Sequence, residues 1–130
     1  MAKSETLKFY RCKHCGNIVQ MVYASGVPVV CCGEPMEELI PNTVDAAQEK
    51  HVPVVSMENG AVAVAVGEVA HPMSEEHHIA WMELQTDQGV SRRILSPGQT
   101  PTARFLLSEG ERPKAVYAYC NLHGLWKTEL

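Results

Sequence analysis

Nine side chains that bond transition metals well fall into two groups along this 130-residue sequence. Cys12-Lys13-His14-Cys15-Gly16 and Cys31-Cys32-Gly33 bring four sulfurs into the first third of the chain. Two residues between Cys12 and Cys15 let both thiolates reach one ion from a tight turn, and the glycine after each pair permits the positive φ that turns amides toward sulfur. Four thiolates make a closed tetrahedral site suited to iron or zinc. The adjacent pair is the unusual feature. Neighbouring residues of an extended chain point in opposite directions, so Cys31 and Cys32 share one metal only where the backbone kinks. On the residues alone, a structural zinc knuckle and a strained vicinal disulfide stay open as alternatives. His14 reads as exposed, because four sulfurs already fill such a site.

The second group is His51, His71, His77, Cys120 and His123. A lone histidine is more often structural or exposed than a ligand, but these stand in telling places. Glu49-Lys50-His51-Val52-Pro53 enters a strand, and His71 precedes Pro72, which holds it extended. His77 and His78 are adjacent at the start of another strand, so only one of them can face a given site if that strand is regular. Cys120-Asn121-Leu122-His123-Gly124 closes the last strand, and its Cys-x-x-His spacing can grip one ion through a turn. All five fall at strand ends, where a sandwich can gather them at one rim. Imidazoles with a thiolate suit iron, although the ligand types alone leave copper and zinc open. Five ligands leave one position for a small substrate. Lys50, next to a ligand, is a flexible point charge able to draw in an anion; the plain alternative is a solvated Glu49-Lys50 pair.

The elements that must hold these residues are strands. Ala61-Val62-Ala63-Val64-Ala65-Val66 repeats valine at every second position, the period of a strand with one crowded face. Val52–Met57, His78–Thr86, Val90–Leu95, Thr102–Leu107 and Lys114–Cys120 read as further strands, with turns at Asn59-Gly60, Asp87-Gln88-Gly89, Pro97-Gly98 and Glu109-Gly110. The pattern predicts an all-β chain: a small metal-bound β domain over residues 1–40, then an antiparallel β-sandwich or barrel over residues 41–130 whose first residues, 41–51, form a connector with one helical turn near Asp45–Glu49. A segment of about 40 residues is too short for an adequate core, so a metal cross-link is a physical need there. The net charge of −4 argues against general nucleic-acid binding. No apolar run approaches the ~20 residues of a membrane span, and Met1–Lys8 lacks the apolar stretch of a secretion signal. The expectation is a cytoplasmic protein using its cysteines for metal rather than disulfides.

Tyr10-x-Cys12-x-x-Cys15-Gly16-Asn17 with Cys31-Cys32-Gly33 resembles desulforedoxin and the N-terminal domain of the desulfoferrodoxins. Glu49-Lys50-His51-Val52-Pro53, His71-Pro72-Met73 with His77 six residues on, and Cys120-Asn121-Leu122-His123-Gly124 resemble the superoxide reductase part of the same family. The resemblance spans nearly the whole chain, and it implies an immunoglobulin-like sandwich for the second domain and two iron ions per chain. One would be a distorted Fe(Cys)4 centre on Cys12, Cys15, Cys31 and Cys32. The other would hold His51, His71, His77 and His123 in a plane with Cys120 axial, leaving His78 unused. It further implies one-electron reduction of superoxide to hydrogen peroxide, with Lys50 guiding superoxide and Glu49 closing the oxidised centre. A rubredoxin-like donor would return the electron, and the chain would pair as a homodimer, for which the Fe(Cys)4 centre would be chiefly structural. The competing functions are a two-iron electron carrier without catalysis and a zinc-stabilised interaction module.

Overall fold

The computed structural model describes residues 7–130, of which residues 7–40 belong to one compact unit and residues 41–130 to another. The first is built from very short strands. β1 (Phe9–Arg11) lies between β2 (Ile18–Gln20) and β5 (Glu37–Glu38), both antiparallel to it, while β3 (Val30–Cys31) and β4 (Glu34–Pro35) form a separate hairpin. Its buried apolar side chains are Phe9, Cys12 and Met36. β4 and β5 are absent from the sequence expectation, because two-residue strands of Glu and Pro carry no hydrophobic period.

The second unit follows the predicted strand order. α1 (Gln48–His51) leads into β6 (Pro53–Glu58), β7 (Ala61–Val66), β8 (Ile79–Thr86), β9 (Gly89–Ile94), β10 (Thr102–Leu106), β11 (Pro113–Cys120) and β12 (Gly124–Glu129). They form two antiparallel sheets, ordered β10-β7-β6 and β12-β11-β8-β9. Two details differ from expectation. The helical turn sits further along than Asp45–Glu49, ending on His51 itself. Cys120 does not close the last strand either: the chain turns at Asn121–His123 and returns as β12, paired along β11 from Cys120↔Gly124 to Ala115↔Glu129.

The core lies between the two sheets. Val62, Val64 and Val66 point inward from β7 and meet Phe105 of β10, Ile79, Met82 and Leu84 of β8, and Val116, Ala118 and Cys120 of β11. On β8 the inward residues jump from Ile79 to Met82, an odd spacing that a regular strand cannot give. A bulge explains it: Trp81 faces Tyr119 but Ile79 faces Cys120, so Ala80 is the extra residue. The irregularity falls where the apolar core ends and the histidines begin.

The connector is tied down by Asn42. At φ +63° its amide donates to the Leu125 carbonyl at 3.0 Å, and its side chain both accepts from the Lys127 amide at 2.9 Å and donates to the Lys127 carbonyl at 3.1 Å. Asparagine is among the few residues that adopt this left-handed conformation readily. No helix of the described residues is long and apolar enough to cross a membrane.

Candidate metal centres

In the first unit the Sγ atoms of Cys12, Cys15, Cys31 and Cys32 all lie within 4.8 Å of one another. The kink that adjacent cysteines need is present: Cys32 has φ +53° and Gly33 follows at +80°, while Gly16 after the first pair has +83°. The Cys15 amide points at the Cys12 sulfur at 3.5 Å and the Asn17 amide at the Cys31 sulfur at 3.7 Å. The amide of Cys15 is the chief cause lowering the Cys12 thiol to about 6. The neighbouring sulfurs push two thiols up, Cys31 mainly through Cys15, and Cys32 to about 12 mainly through Cys12. Cys31 and Cys32 thus retain protons that a cation would displace. Sulfurs on a tetrahedral metal with bonds of ~2.3 Å stand ~3.8 Å apart, and the Cys15–Cys31 separation is 3.6 Å. The donors suit a tetrahedral metal. His14 is half exposed and pairs with Glu34 at 2.7 Å, outside the sulfur group.

In the second unit the ligand atoms of His51, His71, His77 and Cys120 form a second group within 4.8 Å of one another. His123 falls outside that limit but is adjacent: its Nδ1 lies 3.0 Å from His51 Nε2 and 3.9 Å from Cys120 Sγ. The four rings form a closed square. Successive centroids His51–His71–His77–His123–His51 are 4.7, 4.6, 5.0 and 4.8 Å apart with interplanar angles of 75° to 89°, and the His51–His77 diagonal is 6.2 Å.

Local structure decides which nitrogen each ring offers. His51 Nδ1 lies 2.7 Å from the Ala47 carbonyl one helical turn back, and His71 Nδ1 2.7 Å from the Pro72 carbonyl. A carbonyl only accepts, so both Nδ1 atoms carry the proton and both Nε2 atoms present lone pairs. The Nε2 atoms of His71 and His77 are buried without a hydrogen-bond partner, a condition that costs ~1–3 kcal/mol for each polar group. Burial is the main cause depressing the protonation of His51, His77 and His71, the last to about 4. These rings are therefore neutral near pH 7. Neighbouring nitrogens at right angles on a metal with ~2.1 Å bonds would stand ~3.0 Å apart, as His51 Nε2 and His123 Nδ1 do. The orphaned lone pairs fit a cation.

Cys120 is fully buried at the top of the core, and that burial raises its thiol while the Leu122 and His123 amides of the turn oppose the shift. Those amides suit a thiolate held by a metal. Glu49 and Lys50 stay outside both ligand groups, with exposed side chains. The Lys50 charge still lowers the protonation of His51 and His77, so its field reaches the square.

Both groups of motifs have counterparts among known proteins. Residues 4–39 match the model of the desulfoferrodoxin N-terminal domain and residues 43–129 that of desulfoferrodoxin itself. The chain belongs to the desulfoferrodoxin family. A desulfoferrodoxin of Syntrophotalea carbinolica is 51% identical over 126 residues, covering 97% of this chain and 98% of that one. A superoxide reductase of Pyrococcus horikoshii is 40% identical over 100 residues, covering 63% of this chain and 86% of its own. The crystal structure of the superoxide reductase from Treponema pallidum is similar at a TM-score of 0.81 and 37% identity, covering 96% of this chain and all of that one. The four-sulfur and histidine–cysteine groups are consistent with the two iron sites of a desulfoferrodoxin.

Two residues support the centre without a role assigned to them in the sequence, Trp126 and, inside the Cys120–Gly124 motif, Asn121. Trp126 stacks on His51 at 4.9 Å and 25° and donates its indole N–H to the His123 carbonyl at 3.1 Å, bracing one ring and the backbone that bears another. Asn121 accepts from the His78 amide at 2.9 Å and donates to the Glu76 carbonyl at 2.9 Å, tying the loop that bears His77 to the turn that bears Cys120. His78 turns away to the Ser74 carbonyl at 3.0 Å. Asn121→Ala should free the His77 loop and weaken metal at this centre by about 10- to 100-fold, the usual cost of losing a group that orients ligands. Competition with a chelator measures it, and unchanged retention would deny Asn121 this role.

Proposed function

We propose that this chain reduces superoxide by one electron to hydrogen peroxide at the histidine–cysteine centre of its second unit. The single observation that carries the reading is the square of four imidazoles, with the buried Nε2 atoms of His71 and His77 unpartnered, beside a buried thiol and within reach of a lysine's field. Superoxide reductases among its relatives and structural neighbours support it. In this reading residues 1–40 are a desulforedoxin-like Fe(Cys)4 domain on Cys12, Cys15, Cys31 and Cys32. Residues 41–130 are the superoxide reductase domain, with His51, His71, His77, His123 and Cys120 as ligands.

Bound ferrous iron supplies the single electron, and a thiolate ligand favours giving it up. The rest falls to the chain's own groups. Carbonyls of Ala47 and Pro72 hold the Nδ1 protons of His51 and His71 and so fix which nitrogens face the metal. Lys50 is exposed on the helical turn that ends in His51, where its ammonium attracts a small anion and steadies the charge that accumulates on it. Superoxide takes up one electron and two protons, the latter from water. Glu49, on the same turn, is the carboxylate that closes the centre once product has left. An external rubredoxin-like donor returns the electron, the chain works as a homodimer, and five cysteines committed to metal suit a cytoplasmic setting.

Rapid mixing of the reduced protein with superoxide is the deciding experiment. Oxidation of the histidine–cysteine centre should be near diffusion-limited and should slow as salt rises. Lys50→Ala should lower that rate about tenfold or more, within the range of electrostatic guidance, with iron content unchanged. A reduced centre that superoxide leaves untouched would favour a simple electron carrier, and a Lys50→Ala rate equal to the parent's would remove the lysine from the mechanism.

A further inference from the structure

The ladder between β6 and β7 does not stop at Pro53↔Val66. Beyond it the Gly67 amide donates to the Val52 carbonyl at 3.1 Å and the Val69 amide to the Glu49 carbonyl at 3.0 Å, so the segment after β7 continues alongside the turn that bears Glu49 and Lys50. Gly67 is buried, at φ +84°. A Cβ built there would stand 2.7 Å from the Glu49 carbonyl oxygen, 2.7 Å from the Lys50 carbonyl carbon and 2.5 Å from the Val69 carbonyl oxygen, where real Cβ contacts stay beyond 3.0 Å. All three are backbone atoms, so no side chain can swing aside to make room. Gly60, Gly98 and Gly110 also have positive φ but open space at the Cβ position. Conformational freedom accounts for those glycines; Gly67 has a second reason, the peptides on either side of Lys50.

We infer that Gly67 is a positioning residue, whose missing side chain lets the Glu49–Lys50 turn seat against the end of β7 and thereby places the Lys50 charge. The inference rests on the proposed role of Lys50 and adds what holds it in place. His51 is anchored independently, by its bond to the Ala47 carbonyl and its stacking on Trp126. A push against the Glu49–Lys50 backbone is therefore taken up by the turn and its two exposed side chains, ahead of the ligand ring.

The test compares Gly67→Ala with Gly60→Ala in the full iron-loaded chain. The two sites share left-handed backbone, at +84° and +75°, so both variants carry similar conformational strain and only the first adds the clash. Gly60→Ala should keep the parent's superoxide rate. Gly67→Ala should retain both irons yet react several-fold more slowly, with a flatter dependence on salt. The double variant with Lys50→Ala should be no slower than Lys50→Ala alone, because the two changes act through one charge. Amide exchange at Val69, measured without superoxide, should quicken in Gly67→Ala and stay unchanged in Gly60→Ala. If Gly67→Ala does not fold, Val69→Pro removes the Val69–Glu49 hydrogen bond from an exposed residue and should give the same rate loss, again not additive with Lys50→Ala. Rate losses that add to that of Lys50→Ala, or unchanged Val69 exchange in a folded Gly67→Ala, would overturn the inference. Should Lys50→Ala itself leave the rate unchanged, the proposed function of Lys50 fails, while the exchange result still decides whether Gly67 seats the turn.

Discussion

Cys120→Ala should leave a folded protein whose second centre holds metal on the order of a hundredfold more weakly, at least as much as the loss of an orienting group costs. The residue ends β11 facing the core, so alanine fits its backbone and the metal-free fold loses only one small apolar group. The ligand group itself loses its one thiol among the described residues. Metal that binds the folded state alone stabilises it by mass action, and a hundredfold drop in affinity corresponds to about 2.7 kcal/mol of that stabilisation. Thermal unfolding with and without metal measures this directly: the parent should gain far more from loading than the variant. Superoxide oxidation should fall by a comparable or larger factor. An unchanged metal-dependent gain in melting temperature would show that Cys120 is not a ligand.

How far such a result was legible beforehand depends on the residue. Cys12, Cys15, Cys31 and Cys32 announce themselves, because type and spacing are both rare and the glycines at 16 and 33 mark the turns. The left-handed Cys32 was also foreseeable, since adjacent residues converge on one point only through a kink. The alternation in Ala61–Val66 located the core face of β7 for the same reason: period two admits one reading. β12 escaped notice because Gly124–Glu129 mixes Leu125 and Trp126 with Lys127, Thr128 and Glu129 and shows no clean alternation. Its partner strand supplies the order that its sequence lacks.

Side-chain direction was least legible. Nothing in the order His77-His78 says which imidazole turns inward, since the choice is made by Asn121, 43 residues away, catching the His78 amide while Ser74 takes the His78 ring. The use of Nε2 by His51 is likewise set by a carbonyl at Ala47 and a ring at Trp126. Sequence patterns name the donors, whereas long-range hydrogen bonds aim them.

Cys12→Ser should empty and unfold the first unit while leaving the second intact. Each ligand group is drawn entirely from one unit, and no residue of Pro41–Leu130 depends on Cys12 for its metal. Among its described residues the first unit has strands of two or three residues and only Phe9, Cys12 and Met36 buried as apolar side chains. Units of this size seldom hold together without a metal or a disulfide. Cys12 is the most deeply buried of the four cysteines, and the Cys15 amide is the chief cause holding its thiol down to about 6. Serine keeps the size but forfeits the thiolate, leaving three sulfurs and a buried hydroxyl. Metal analysis should fall from two ions per chain to one, and amide protection between Phe9 and Glu38 should collapse while that of β6 to β12 persists. With an artificial electron donor, superoxide reduction should proceed at the parent's rate. Loss of that activity together with the first metal would mean that the four-sulfur centre takes part in electron delivery, and the division of labour proposed for the two units would have to be abandoned.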